Sequence, residues 1–340
     1  MKKIKTLISV VAVLLVFLTL YGLLTRLLTP KYATDLVEGS MISQYYGEAG
    51  GHDVIFIGDC EVYSNFSPLE MYRQQGITAY VRGTSQQLIW QSYYILKETL
   101  NYEIPKVVVY NVNAMRHPEP IKEEFNRLTI DNMCWSAEKV GIIQASMMEE
   151  ETFASYVFPL LRYHSRFQHL TAEDFTYFLK GKDNTFNGYL MKTDVLPVGT
   201  LPAKRPLANY QFSDTCWSYL EQMAQLCKEK GVQLVLVKAP SLYPYWYEQY
   251  DAQIAEFATA QGLAYYDLTK DIDAIGLDFS QDTYDAGLHL NLSGATKLSG
   301  YFGQILAEKH GLADHRNDPE ISKVYNEKLR FYDEAAMKGE

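Results

Sequence analysis

The segment DVIFIGDCEVYSNFSP, residues 53–68, decides the fold. Val54, Ile55, Phe56 and Ile57 run without alternation into Gly58, and the polar Asp59-Cys60-Glu61 follows. An unbroken apolar run that stops at glycine reads as a strand buried on both faces, the pattern of a parallel sheet covered by helices. Ser67-Pro68 then reads as the cap and first position of a helix that stops at Gly76. Cys60 thus stands at the carboxyl end of the first strand, where open α/β sheets place their ligands. It is either a nucleophile or a small residue at a strand mouth, and the rest of the chain bears on the choice.

Working outward, strand-like and helix-like segments alternate. Residues 78–83 read as a short strand, 85–100 as an amphipathic helix and 106–113 as a β-branched strand. Residues 214–231 read as a helix, 232–240 as a strand, 247–261 as a helix, 263–268 as a strand and 291–311 as a last helix of the core. Five apolar strands, each followed by a helix, predict a three-layer α/β/α sandwich with a mainly parallel five-stranded sheet. Cys60, Gly83, Asn113 and Lys238 all fall at or just past strand carboxyl ends. Between 114 and 213 the alternation lapses. A structureless stretch that long is improbable in a compact domain, so it reads as a mostly helical insertion capping the sheet edge. The charged tail 314–340 reads as a peripheral, partly frayed helix.

The chain carries a formal net charge of -10 with a pI of about 5.3 and no basic stripe beyond its first residues, which argues against nucleic acid as a partner. Residues 1–32 stand apart. Lys2, Lys3 and Lys5 precede an apolar run over 7–24, near the length of a membrane-crossing helix, and Leu27 and Leu28 prolong it. The lysines favour a cytoplasmic N-terminus, and no A-x-A-like cleavage site follows. The expectation is a single-pass signal anchor, with the membrane met by residues 7–28 and the domain 33–340 extracytoplasmic at the cell membrane. Among four cysteines there is no C-x-x-C pair, so neither a disulfide framework nor a zinc knuckle is indicated. Cys134, Cys216 and Cys227 read as small buried apolar residues.

Acyl transfer needs a nucleophile, a base, an orienter for the base and donors for an oxyanion. Cys60 is the candidate nucleophile. His289, in DTYDAGLHLNLSGATK (282–297), directly precedes the last helix and is the candidate base; Asp285 lies four residues upstream and Asp282 seven. A carboxylate on the same loop can hold one ring nitrogen and aim the other. Gly83 can offer its backbone N–H, Asn113 its side-chain amide, and Cys60 its own N–H.

These blocks, in this order and at these strand ends, resemble the SGNH (GDSL-type) hydrolases. That family carries a Ser in a Gly-Asp-Ser block after the first strand, a Gly after the second, an Asn after the third, and Asp-x-x-His before the last helix. The resemblance covers about residues 50–115 and 230–310. It implies a flavodoxin-like SGNH fold, with Cys60, His289 and Asp285 catalytic and Gly83 and Asn113 at the oxyanion. LHLNLSGATKLS (288–299), the anchor and the insertion are most similar to membrane-anchored cell-envelope members, among them the DltD-like branch serving D-alanylation of teichoic acids. The resemblance therefore implies an extracytoplasmic esterase or O-acyltransferase acting on acyl esters of a cell-surface glycan or teichoic acid. It implies no metal or organic cofactor; the partners are an acylated cell-surface polymer and a membrane-bound acyltransferase. Three departures stand out. Cys60 replaces the Ser; the spacing is Asp-x-x-x-His, which keeps Asp282 in play; and Asn111-Val112-Asn113 replaces Gly-x-Asn.

A thiol beside a histidine ionises readily, whereas Asp59 next to it opposes ionisation. The alternative is a non-catalytic envelope protein that uses the same cleft to bind glycan or dock an acyltransferase. Arg162, His164 and Arg166, a basic cluster in the insertion, and Lys238 are further candidates for substrate binding. Each reads equally as an internal ion-pair partner. The aromatic run 241–247 is a candidate sugar platform or simple packing.

Overall fold

A computed structural model describes residues 2–30, 38–48, 50–180 and 185–339. The expected boundary at 32/33 lies outside the described residues. The chain begins α1 (Lys2–Leu28), α2 (Glu38–Glu48), β1 (Val54–Gly58), α3 (Cys60–Asn65), α4 (Pro68–Gln75), β2 (Ala79–Gly83), α5 (Ile89–Tyr102) and β3 (Val107–Asn111). The insertion follows with α6 (Glu123–Ile130), α7 (Ala137–Ser146), α8 (Phe153–Val157), α9 (Leu160–Tyr163), α10 (Ala172–Lys180) and a hairpin of β4 (Thr185–Phe186) and β5 (Tyr189–Leu190). The chain then returns to the core through α11 (Asp214–Lys230), β6 (Gln233–Lys238), α12 (Glu248–Gln261), β7 (Ala264–Asp267), α13 (Ile272–Ile275), α14 (Leu292–His310) and α15 (Pro319–Lys338).

β1 is buried at every position. It lies inside a five-stranded sheet of order β2-β1-β3-β6-β7 in which every pairing is parallel. Because successive side chains point to opposite faces, one run feeds two cores. Val54, Phe56, Val107, Val109, Val235 and Val237 pack with Met71 of α4 and Leu298, Phe302 and Leu306 of α14. Ile55, Ile57, Val108, Tyr110, Leu234 and Leu236 pack with Ile89 and Leu96 of α5, Leu220 and Met223 of α11, and Ile254 of α12. This is the three-layer α/β/α sandwich in the flavodoxin-like order, whose switch point falls between the carboxyl ends of β1 and β3.

Local chemistry sets the helix ends. Ser67 caps α4, with Pro68 at its first position, and Gly76 closes it in the left-handed region at φ 74°. α5 begins at Ile89, four residues later than its apolar pattern suggests. Thr84 to Gln87 forms a turn instead, with Gln86 at φ 53° and Gln91 Oε1 accepting from Leu88 N at 3.0 Å.

The insertion is mostly helical but contributes one hairpin that matters to the sheet. Asn187 and Gly188 turn with φ 55° and 81°, the mirror-image turn that suits a two-residue hairpin. Asn187 O accepts from Val81 N at 2.9 Å and its side-chain amide donates to Ala79 O at 2.9 Å, so the turn itself satisfies the free edge of β2. α15 corrects the expectation of a frayed tail. Asp318 caps it, and it buries Tyr325, stacked on Tyr72, and Tyr332, whose hydroxyl meets Ser67 Oγ at 3.0 Å. Cys134 is likewise a correction: it is exposed, while Cys216 and Cys227 are buried on α11. α1 is long and apolar enough to cross a membrane, and its central residues are exposed.

A Cβ at Gly188 would lie 2.0 Å from Val81 O, at a φ that L side chains rarely adopt. Gly188→Ala is therefore expected to destabilise the protein by about 2–3 kcal/mol, read as a lower melting temperature. Gly199→Ala, which meets nothing within 4 Å, is the neutral control.

Candidate active site at the switch point

Cys60 opens α3 immediately after β1. Asp59 caps this short helix by accepting from Glu61 N at 3.2 Å. The turn is tight: a Cβ at Gly58 would lie 2.4 Å from Val62 Cγ2. Gly83 is fixed by the same crowding, since a Cβ there would sit 2.9 Å from Gly58 O. Its residue type follows from the close approach of β2 to β1, and it is not among the residues lining the cleft.

His289 arrives from the opposite side on the loop before α14. An antiparallel bridge between Thr283 and Leu290 closes this loop, and Thr283 Oγ1 ties it internally, donating to His289 O at 2.7 Å and accepting from Gly287 N at 2.8 Å. Asp285 holds the histidine twice. Its Oδ1 accepts from His289 N at 2.7 Å and its Oδ2 lies 2.6 Å from Nδ1. Asp282 does other work: it accepts from Lys297 Nζ at 2.6 Å, Ser293 Oγ at 2.7 Å and Asp278 N at 2.8 Å. The four-residue spacing thus seats Asp285, not Asp282, on the ring.

With Nδ1 engaged, His289 Nε2 is buried and has no hydrogen-bond partner of good geometry among the described residues. The group that acts on it is the Cys60 thiol, close enough that each alters the other's proton affinity. Burial pushes the thiol up, His289 pulls it down, and Asp59 pushes it up again. Burial disfavours the imidazolium, but a Cys60 thiolate and the Asp285 hydrogen bond raise His289 well above its usual value. Burial raises the thiol whichever of the two groups holds the proton.

Beneath the thiol lies a buried polar network. Asp59 accepts from Asn113 Nδ2 at 2.6 Å and Asn111 Nδ2 at 3.2 Å, and Asn111 also donates to Glu61 Oε2 at 2.9 Å. Lys238 Nζ lies 2.8 Å from both Glu61 oxygens. Burial, then Glu61, raises Asp59 above the usual carboxylate range, against Asn113, Lys238 and Arg116. Asn113 keeps a second amide hydrogen and lines the cleft, whereas Asn111 is wholly buried and also accepts from Ala239 N. Lys238 likewise lines the cleft but spends its charge on Glu61.

The cleft above is a cavity of about 550 Å³ that brings Cys60, His289 and Asn113 together with Gln86, Arg116 and Trp246. Arg162, His164 and Arg166 are elsewhere. Arg162 pairs with Glu123 at 2.6 Å, Arg166 with Asp174 at 2.5 Å, and His164 Nδ1 meets Leu160 O at 3.1 Å.

Sequence reasoning missed four residues. Asn65 accepts from Leu290 N at 2.9 Å and donates to Pro240 O at 3.3 Å, so the helix carrying Cys60 also anchors the loop carrying His289. Gln86 lines the cleft with a buried Oε1 that lacks a partner, on a left-handed backbone that no sequence signal announces. Arg116 donates to the backbone oxygens of Asn113 and Tyr245. His117 is pulled down to about 4 by burial and by Arg116, which keeps it neutral at pH 7.

No family model matches the chain, and no curated protein matches its sequence. Among solved structures, similarity extends to a provisionally assigned acylhydrolase from Bacteroides fragilis, at 12% identity and a TM-score of 0.39, covering 83% of this chain and 100% of that one. It extends also to a GDSL-like lipase from Bacteroides thetaiotaomicron, at 12% identity and a TM-score of 0.37, covering 80% of this chain and 98% of that one.

The thiol's reactivity should follow these charges. Iodoacetamide alkylation of Cys60 is expected to rise with pH through a midpoint above the ordinary thiol value of about 8.5. His289→Ala should move the midpoint further up, since it removes the lowering partner, and Asp59→Asn should move it down. Mass spectrometry of the Cys60 peptide separates this reaction from that of exposed Cys134.

Proposed function

We propose that this chain is an SGNH-type esterase or O-acyltransferase with a thiol nucleophile. The observation that carries the reading is the unpartnered Nε2 of His289 beside Cys60, with Nδ1 held by Asp285. In the proposed reaction, Nε2 takes the thiol proton as sulfur adds to the ester carbonyl carbon. The second amide hydrogen of Asn113 and the N–H of Cys60 stabilise the tetrahedral oxyanion. The intermediate collapses, the C–O bond breaks, and the imidazolium returns its proton to the departing alkoxide, leaving a thioester on Cys60. Water or an acceptor hydroxyl then repeats the sequence in reverse roles. Asp285 orients the ring and stabilises its charged form throughout.

The finer reading is a membrane-anchored, extracytoplasmic enzyme acting on acyl esters of a cell-surface glycan or teichoic acid, on the DltD-like branch. Its support is the apolar N-terminal helix and the resemblance of residues 288–299 to that branch. One consideration favours a second reading, in which the cleft binds without turnover or docks an acyltransferase: burial and Asp59 raise the thiol above its ordinary value, against His289.

Hydrolysis of an activated acetyl ester under reducing conditions separates the two. The catalytic reading expects Cys60→Ala and His289→Ala each to lose roughly a thousand-fold or more, and Asp285→Asn to lose less. Equal rates in the parent and all three variants would favour the binding reading.

A further inference from the structure

The basic cluster of the insertion lies not in the cleft but against the end of α1. Arg166 Nη1 donates to Leu27 O at 3.3 Å, the Arg26 guanidinium lies 5.6 Å from the Phe178 ring centroid, and Tyr21 meets Phe158 edge-on at 6.4 Å. Residues 158–178 are thus packed on the last two turns of a helix able to span a bilayer. The same short stretch leaves large apolar side chains in the open. Phe158, Leu161, Phe167, Phe175 and Leu179 are between 48% and 76% exposed. Its two arginines are held in ion pairs, Arg162 with Glu123 and Arg166 with Asp174.

Scattered exposed apolar residues need no explanation, but five on one short stretch that packs against an apolar helix do. We propose that α8, α9, the 3-10 turn His164–His169 and α10 lie in the outer interface of the bilayer that α1 crosses, with these five side chains among the lipid headgroups and upper acyl chains. The occupant follows from continuity. If α1 spans, its last turns stand at the interface, and whatever packs on those turns shares their depth. These side chains and the helix then form one apolar surface, and pairing with Glu123 and Asp174 neutralises the two arginines that would otherwise oppose its burial. The inference rests on α1 as a transmembrane segment and is independent of the chemistry at Cys60.

Site-directed spin labelling tests it on the full chain, reconstituted in phosphatidylcholine vesicles with a minor fraction of phosphatidylglycerol. Cys60→Ser and Cys134→Ser remove the accessible thiols, while Cys216 and Cys227 are buried. Labels are placed singly at Phe167→Cys, Phe175→Cys and Leu179→Cys. Leu14→Cys reports mid-helix depth, and Val324→Cys on the exposed face of α15 is the aqueous reference. The proposal expects the three insertion labels to collide more with oxygen than with a water-soluble nickel chelate, Leu14 to do so more strongly, and Val324 to show the reverse. Insertion labels behaving like Val324 while Leu14 stays oxygen-accessible would overturn the proposal and leave the spanning helix standing. A Leu14 label in water would overturn the spanning reading and the proposal with it.

Discussion

The buried contact of Lys238 with Glu61, braced by Asn111 and Asp59, is the constraint on which the rest of the molecule turns. It joins the carboxyl ends of β1, β3 and β6 at the point where a parallel sheet must open. Two carboxylates and one ammonium cannot be left unpaired in such a place; removing one partner of a buried pair costs about 3–5 kcal/mol. The amides of Asn111 and Asn113 satisfy the remaining carboxylate oxygens, so the network is polar yet closed. The same network fixes Asp59, and Asp59 caps the helix that begins at Cys60. Structure and reactivity are therefore set by one group of side chains.

That coupling gives the site its tension. A thiol at the start of a helix and beside a histidine is a configuration that favours thiolate. Here burial and an adjacent acidic pair oppose it, and Asp59 is itself driven toward its protonated form by the same surroundings. The histidine side is simpler. Asp285 grips both the backbone and the ring of His289, and Asn65 ties that loop to α3, so Cys60 and His289 are carried on parts held to each other.

The insertion divides into regions with different work. Its hairpin closes the edge of β2 through Asn187, and α7 packs on α5. Its later helices gather at the end of α1, away from the cleft. Arg162 and Arg166, open in sequence to either substrate binding or ion pairing, pair with Glu123 and Asp174.

By itself, the sequence determined the sheet and its helices. Unbroken apolar runs such as 54–57, alternating with helical patterns, read as doubly covered parallel strands, and Ser67, Pro68 and Gly76 mark a helix by local chemistry alone. It also placed Cys60, His289 and Asn113 at one end of that sheet, because strand carboxyl ends in such folds lie together. Only the tertiary structure decided between Asp285 and Asp282, since both precede His289 on one loop and only loop closure by Thr283 shows which carboxylate meets the ring. It alone revealed that Gly83 answers to crowding against Gly58, that Lys238 belongs to Glu61, and that the tail helix packs on the core through Tyr325 and Tyr332. Each of these depends on contacts between residues far apart in the chain, and local periodicity and turn chemistry carry no record of such contacts.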